Sequence, residues 1–159
     1  MHIELRKLSI SRALSEETTA YSAEIWIDGI KAFAASNHGH GGSDLYRQLG
    51  AVTEAEVDAW LKVNRSPRHF DGLTLEPDLE TEIARLIDAV ETRRVLLRKL
   101  KTAVVTIEDD AVFTYPLRNR DRSALVAALA RSKPSATIVT VDDEATIARA
   151  IDLTAAGDD

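Results

Sequence analysis

The chain contains no cysteine. That excludes a disulfide framework, a thiolate metal site and a cysteine nucleophile. Aromatic residues supply only 5% of the 159 positions, so the core must be built from aliphatic side chains and alanine. No apolar run is long enough to span a bilayer, and the opening MHIELRKLSI lacks the apolar block of a secretory signal and reads as a strand. A cytoplasmic location without membrane attachment is therefore expected. There is no excess of cations either: the net charge of −6 disfavours a general nucleic-acid binder, which needs a basic face for phosphate contacts. The same charge is too small and too mixed in sign for a nucleic-acid mimic. GxSxG, HExxH and the phosphate-binding GxxxxGK[ST] pattern do not occur, and there is no internal repeat.

What is present suffices for a core, since 45% of residues are hydrophobic. The pattern predicts an α+β protein: an N-terminal antiparallel β-meander, a long central helix and a C-terminal β-β-α-β-α half, divided as residues 1–75 and 76–159 and forming one compact unit. Ile3, Leu5, Leu8 and Ile10 mark a first strand whose alternation slips near Arg6-Lys7, the sign of a bulge. Tyr21, Ala23, Ile25 and Ile27 alternate with polar residues up to Asp28-Gly29, a dipeptide suited to a type I′ hairpin turn. An uninterrupted hairpin would pair Ile27 with Ile30, Ile25 with Ala32 and Ala23 with Ala34 on the core face. Glu24, Trp26, Lys31 and Phe33 would then share the opposite, mixed face.

Beyond Asn37 comes a glycine-rich loop, His38-Gly39-His40-Gly41-Gly42, with Ser43 or Asp44 expected to cap a short helix over residues 45–49. Thr53 and Glu56 form a capping box for a helix over residues 54–63. Residues 64–76 contain Pro67 and Asp71-Gly72 and read as a loop. Pro77 is expected to open the long helix, roughly 36 Å in length, with acidic residues early and Arg93, Arg94, Arg98, Lys99 and Lys101 late. Two strands over residues 103–107 and 111–115 flank the turn at Asp109-Asp110. A helix over residues 121–131 follows, then a strand over residues 136–141 covered on both faces, a last helix capped by Asp142, and a frayed tail from Thr154.

The loop is the first functional candidate. Free N–H groups before a helix start can hold an anion, although glycines equally serve crowded backbone turns. His38, His40 and Asp44 are metal-ligand types, and Asp142, Asp143 and Glu144 at a strand end are a pattern that can hold magnesium. The ordinary readings, a flexible loop and an N-cap, are preferred, and no metal or cofactor is expected. Arg93 to Lys101, with Arg118, Arg120 and Arg122, form a possible cationic patch for RNA or an acidic partner.

The segments LSEET, YSAEIWIDG and SNHGHGGSDLY (Leu14-Ser15-Glu16-Glu17-Thr18, Tyr21 to Gly29, Ser36 to Tyr46) together resemble small uncharacterised proteins of phages, prophages and other bacterial mobile elements, over about the first third of the chain. The resemblance implies an accessory protein and carries no catalytic residues. The expected function is non-enzymatic protein binding through His38, Gly39, His40, Gly41, Gly42, Ser43, Asp44 and Tyr46 and the hairpin face at Trp26 and Phe33, modulating a host or defence protein. The alternative is a small-ligand or phosphoester-acting enzyme using His38, His40 and Asp44. Exposed hairpin edges leave homo-oligomers open.

Overall fold

A computed structural model describes residues 1–70 and 73–157. The fold is α+β, and the chain divides into two compact units, Met1–Leu86 and Ile87–Asp159. Asp71 and Gly72 of the expected loop lie outside the described residues, as does the end of the tail. Among the described residues no helix is long and apolar enough to cross a membrane.

The first unit is built on a four-stranded antiparallel meander, β1 (Ile3–Ile10), β2 (Tyr21–Ile27), β3 (Ile30–Asn37) and β4 (Leu45–Gln48), in sequence order. Asp28 and Gly29 both adopt positive φ, 51° and 80°, as a type I′ turn requires. The bulge in β1 falls between Arg6 and Ser9, with Lys7 at φ 52°. Two expectations need correction, and they are linked. Residues 45–48 form a strand paired with β3, not a capped helix. The β2–β3 register also shifts after Trp26↔Lys31, so Ile25 faces Phe33 and Ala23 faces Ala35. Ala32 is the extra residue, and its carbonyl accepts the N–H groups of Leu49 (2.7 Å) and Gly50 (3.0 Å), immediately beyond β4. The shift turns Phe33 inward, to 1% exposure beside Ile25 at 0%, while Ile30 is left 69% exposed at the turn. Phe33 therefore does not belong to the mixed face with Trp26.

Helix α1 (Glu54–Asn64) starts at the expected capping box: the Thr53 hydroxyl accepts the Glu56 N–H and the Glu56 carboxylate accepts the Thr53 N–H. Residues 64–76 are not all loop, because β5 (Arg68–Phe70) and β6 (Leu73–Leu75) pair as a small hairpin. Helix α2 (Leu79–Thr102) is entered through Asp78 rather than Pro77, which precedes the helix. The Asp78 carboxylate accepts the Thr81 N–H at 2.8 Å, and Asp58 of α1 accepts the Leu79 N–H at 2.8 Å. Glu82, 4% exposed, accepts both Arg65 and Arg85. Burial acts to raise its carboxyl, but the two arginines outweigh it and leave Glu82 below the usual range.

In the second unit, β7 (Ala103–Glu108) is the centre of a three-stranded antiparallel sheet, between β8 (Ala111–Pro116) and β9 (Thr137–Val139). The strand covered on both faces is thus β7, whose first five residues are buried, while β9 is a short edge. Apart from the buried Thr106 the β7 run is apolar, Ala103-Val104-Val105 and Ile107, which suits a helix on each side. Leu96 and Leu100 of α2 and Ile147 and Ala150 of α4 (Glu144–Gly157) cluster with Val105, Ile107 and Val139. Leu125 and Leu129 of α3 (Arg122–Ser132) cluster with Val104. Asp121 caps α3 as expected. Asp143, not Asp142, caps α4 by accepting the Ala145 and Thr146 N–H groups, and residues 154–157 stay helical rather than fraying.

Phe33→Ala should cost about 3–5 kcal/mol in urea unfolding, the range for emptying a buried aromatic site. A cost below about 1 kcal/mol would restore the uninterrupted register, in which this ring faces solvent.

Candidate functional site

The glycine loop, residues 38–44, joins β3 to β4 and is locked onto residues 11–20, which join β1 to β2. The Gly39 carbonyl accepts the N–H groups of Glu16 (3.0 Å), Glu17 (3.0 Å) and Thr18 (3.4 Å). Asn37, 8% exposed, organises the other side. Its Oδ1 accepts the Gly39 N–H at 2.8 Å and the Thr18 hydroxyl at 3.0 Å, and its Nδ2 donates to the Gly42 carbonyl at 2.9 Å and Asp44 Oδ1 at 3.0 Å. A β-carbon on Gly39, at φ +88°, would lie 2.1 Å from the Leu14 carbonyl oxygen. Glycine is required here by a close backbone approach and a left-handed conformation together. The Gly41 N–H is also used, at 3.3 Å from the Thr18 hydroxyl. The candidate anion cradle therefore loses its helix and two of its donors, while the preferred reading is a crowded glycine turn: β4 replaces the helix, and the N–H groups of Gly39 and Gly41 point to partners within the protein.

Asp44 turns toward the tyrosines rather than the histidines. Its Oδ2 accepts the hydroxyls of Tyr21 and, at 2.9 Å, Tyr46. Burial, then the adjoining Asp44 carboxylate, pushes both phenols well above their ordinary range. They stay protonated and act as donors, so the cluster latches β2, β3 and β4 together and offers no phenolate base. Glu80 beside it is raised by burial, then by the charges of Asp44 and Asp78. The Tyr46 ring also meets Phe33 edge-on, with centroids 6.4 Å apart.

The open surface lies on the outer face of the sheet. Ser9 faces Ser22 across β1–β2, and Ser22 faces Ser36 across β2–β3, so three hydroxyls form a cross-strand row. Among the described residues none of these hydroxyls hydrogen-bonds to the protein. With Ser11, Leu14, Asn37, His38 and His40 they border an open groove of about 460 Å³. His40 Nδ1 lies 3.3 Å from Glu16 Oε2. Farther along the same face, Arg6 stacks 3.8 Å from the Trp26 ring centroid, and Glu24 accepts from Lys7 (2.9 Å), Lys31 (2.7 Å) and the Trp26 indole (3.2 Å). Lys31 first, then Lys7, holds the Glu24 carboxyl down at about 2. Leu45 of β4 is 56% exposed.

The structure thus brings His38 and His40 to one groove and carries Trp26 on the face that continues from it. It takes Asp44 and Tyr46 into the latch beside the groove. Ser43, Gly41 and Gly42 are exposed on the loop. Sequence reasoning missed Asn37, Thr18 and the serine row. Ser22 and Ser36 do sit at outward positions of their strands, but their alignment depends on the bulge at Ala32.

Elsewhere, Glu144 is engaged by Arg93 through two contacts of 2.7 Å, and Asp143 caps α4. Because the sheet there is antiparallel, these acids do not sit at the carboxyl end of a parallel sheet. Among the described residues no group of three or more His, Asp or Glu side chains could hold a metal. Glu108, at the end of β7, accepts from Thr106 at 2.5 Å, Tyr115 at 2.7 Å and Lys133. Comparison with known proteins finds no matching family model, no matching curated protein and no matching solved structure.

Gly39→Ala should lower stability by at least about 2 kcal/mol, from left-handed strain plus the backbone clash. Gly42→Ala, whose β-carbon meets nothing within 4 Å, should be nearly silent by thermal melting. Lys133, then Thr106, holds the Glu108 carboxyl at about 2 instead of 4.5. A depressed folded-state value contributes stability that is complete above the unfolded value and is lost as pH falls through the folded one. The Tm advantage of the native chain over Glu108→Gln should therefore shrink between pH 4.5 and about 2. An advantage constant with pH would exclude this ion pair as its source.

Proposed function

We propose that the chain is a non-enzymatic protein-binding accessory factor that engages its partner through the outer face of the N-terminal sheet and the groove bordered by His38 and His40. The observation that carries this reading is the continuity of an open surface over four strands. It runs from exposed Leu14 and the serine row to Trp26 under Arg6, with exposed Leu45 and Arg47 on β4. A half-buried tryptophan with a stacked arginine is a common anchor in protein interfaces, and unpaired hydroxyls suit an adaptable polar rim. The loop is held by its own hydrogen bonds, so little ordering entropy would be lost on docking.

The resemblance of the first third to proteins of phages and other mobile elements supports a partner among host or defence proteins. An enzyme acting through His38, His40 and Asp44 has less support, because the Asp44 carboxylate is occupied by Tyr21, Tyr46 and Asn37.

The test is affinity capture from bacterial lysate, with native and Ser22→Arg proteins on parallel columns. Ser22 is an exposed strand position, so the variant should fold. A single stoichiometric partner, weakened at least about tenfold by Ser22→Arg, is the expected result. Equal retention by both proteins, or no partner on either, would count against this face as the interface.

A further inference from the structure

The corner of the second unit where α2 ends carries an unusual turn. Residues 117–120 form a tight turn closed by the Arg120 N–H on the Leu117 carbonyl at 2.8 Å, with Arg118 at φ 45° and Asn119 at φ 67°. Among the described residues two other tight turns place both central residues at positive φ, Asp28-Gly29 and Asp109-Asp110. Those use residue types that tolerate the left-handed region, as Asn119 does. Arg118 is not of that kind, and its position gains nothing for the turn itself.

Arg120 and Arg122 flank the turn, and Asp121 between them is turned to the cap of α3. The Leu117 N–H donates to the Thr102 carbonyl at 3.0 Å, and the Arg122 guanidinium donates to the carbonyls of Leu100 at 2.7 Å and Ala103 at 2.9 Å. These bonds tie the turn to the last turn of α2, which carries exposed Lys99 and Lys101. Upstream, Arg93 and Arg94 are neutralised by Glu144 and Glu91. Among the described residues Lys99, Lys101 and Arg118 form no ion pair, and the backbone N–H groups of Arg118 and Asn119 donate to no protein acceptor.

We propose that this corner binds a phosphoryl group. Successive N–H groups in a left-handed turn make a small concavity for an anion. The Arg118 guanidinium can meet phosphate oxygens with two parallel donors, and the bond from Leu117 to Thr102 sets the turn against the end of α2, where exposed Lys99 and Lys101, on different helix faces, raise the positive charge. A phosphoryl group has enough oxygens for the guanidinium and both turn N–H groups together, whereas a carboxylate has only two oxygens. The phosphoryl group can come from a nucleic-acid backbone or from a free oligophosphate. The overall acidity of the chain opposes broad nucleic-acid binding but leaves Arg118 without an ion pair among the described residues.

The full chain, labelled with ¹⁵N, would be titrated with inorganic pyrophosphate, with a short single-stranded RNA and with glutarate as the dicarboxylate control. Saturable shifts of the Arg118 and Asn119 amides with pyrophosphate or RNA are expected. RNA binding tighter and more salt-dependent than pyrophosphate identifies a backbone phosphate, and the reverse order a free oligophosphate. Arg118→Gly keeps both N–H groups and suits the turn. It should leave Tm unchanged or higher while weakening binding about tenfold, as should Lys99→Gln with Lys101→Gln. Absence of saturable shifts at the turn, unchanged affinity in both variants, or glutarate binding as well as pyrophosphate would each overturn the proposal.

Discussion

The carbonyl of Ala32 takes two N–H groups from the chain beyond β4, and the order of the N-terminal sheet depends on that arrangement. A residue inserted into one strand of a pair leaves backbone groups without ladder partners, and a buried strand tolerates this only if another segment satisfies them. Leu49 and Gly50 do so. The shift lets Ala32 and Phe33 both turn inward, and it sets Ser36 opposite Ser22 and Asn37 opposite Tyr21. A one-residue difference in strand register exchanges the two faces of everything beyond it. The Asn37 clamp and the pairing of Ser36 with Ser22 are downstream of this bulge, and the second bulge, between Arg6 and Ser9 of β1, completes the row by bringing Ser9 opposite Ser22.

The chain has few aromatic residues and no cross-links, and it ties its elements with single well-donated carboxylates. Asp44 joins three strands, Glu24 gathers two lysines and an indole, Glu82 holds two arginines, and Glu108 holds Thr106, Tyr115 and Lys133. Removing a carboxylate from water is costly, so each such knot is stable only when donors fill its oxygens. Among the described residues no buried polar side-chain atom is left without a partner. These acids are occupied in holding the fold, whereas among the described residues the hydroxyls of Ser9, Ser22 and Ser36 and the N–H groups of Arg118 and Asn119 have no partner in the protein.

Much of the local structure could be read from residue order, because local chemistry decides it. Asp28-Gly29 suits a left-handed two-residue turn wherever it stands between alternating strands. Thr53 and Glu56 cap each other across one helical turn without outside help. The slip between Leu5 and Leu8 announces a bulge in β1, and AVVTIE followed by Asp-Asp and AVFTYP announces a hairpin. The candidate loop was legible as a place but not as a role: its glycines mark a crowded turn, and only packing shows that the Gly39 carbonyl faces the N–H groups of Glu16, Glu17 and Thr18 while the Gly39 α-carbon abuts the Leu14 carbonyl.

By itself, the sequence determined the α+β class, the element order apart from β4 and the small β5–β6 hairpin, the turn types and the caps of α1 and α3, since each rests on interactions within a few residues. Tertiary structure decided the rest. Whether residues 45–48 coil or extend depends on β3 offering them a paired edge. Whether Phe33 faces in or out depends on Leu49 and Gly50, sixteen and more positions away. Whether Asp44 is a ligand or a latch depends on two tyrosines that approach only once β2, β3 and β4 are side by side. Such outcomes rest on backbone groups finding partners far along the chain, and periodicity within a segment carries no record of that partner.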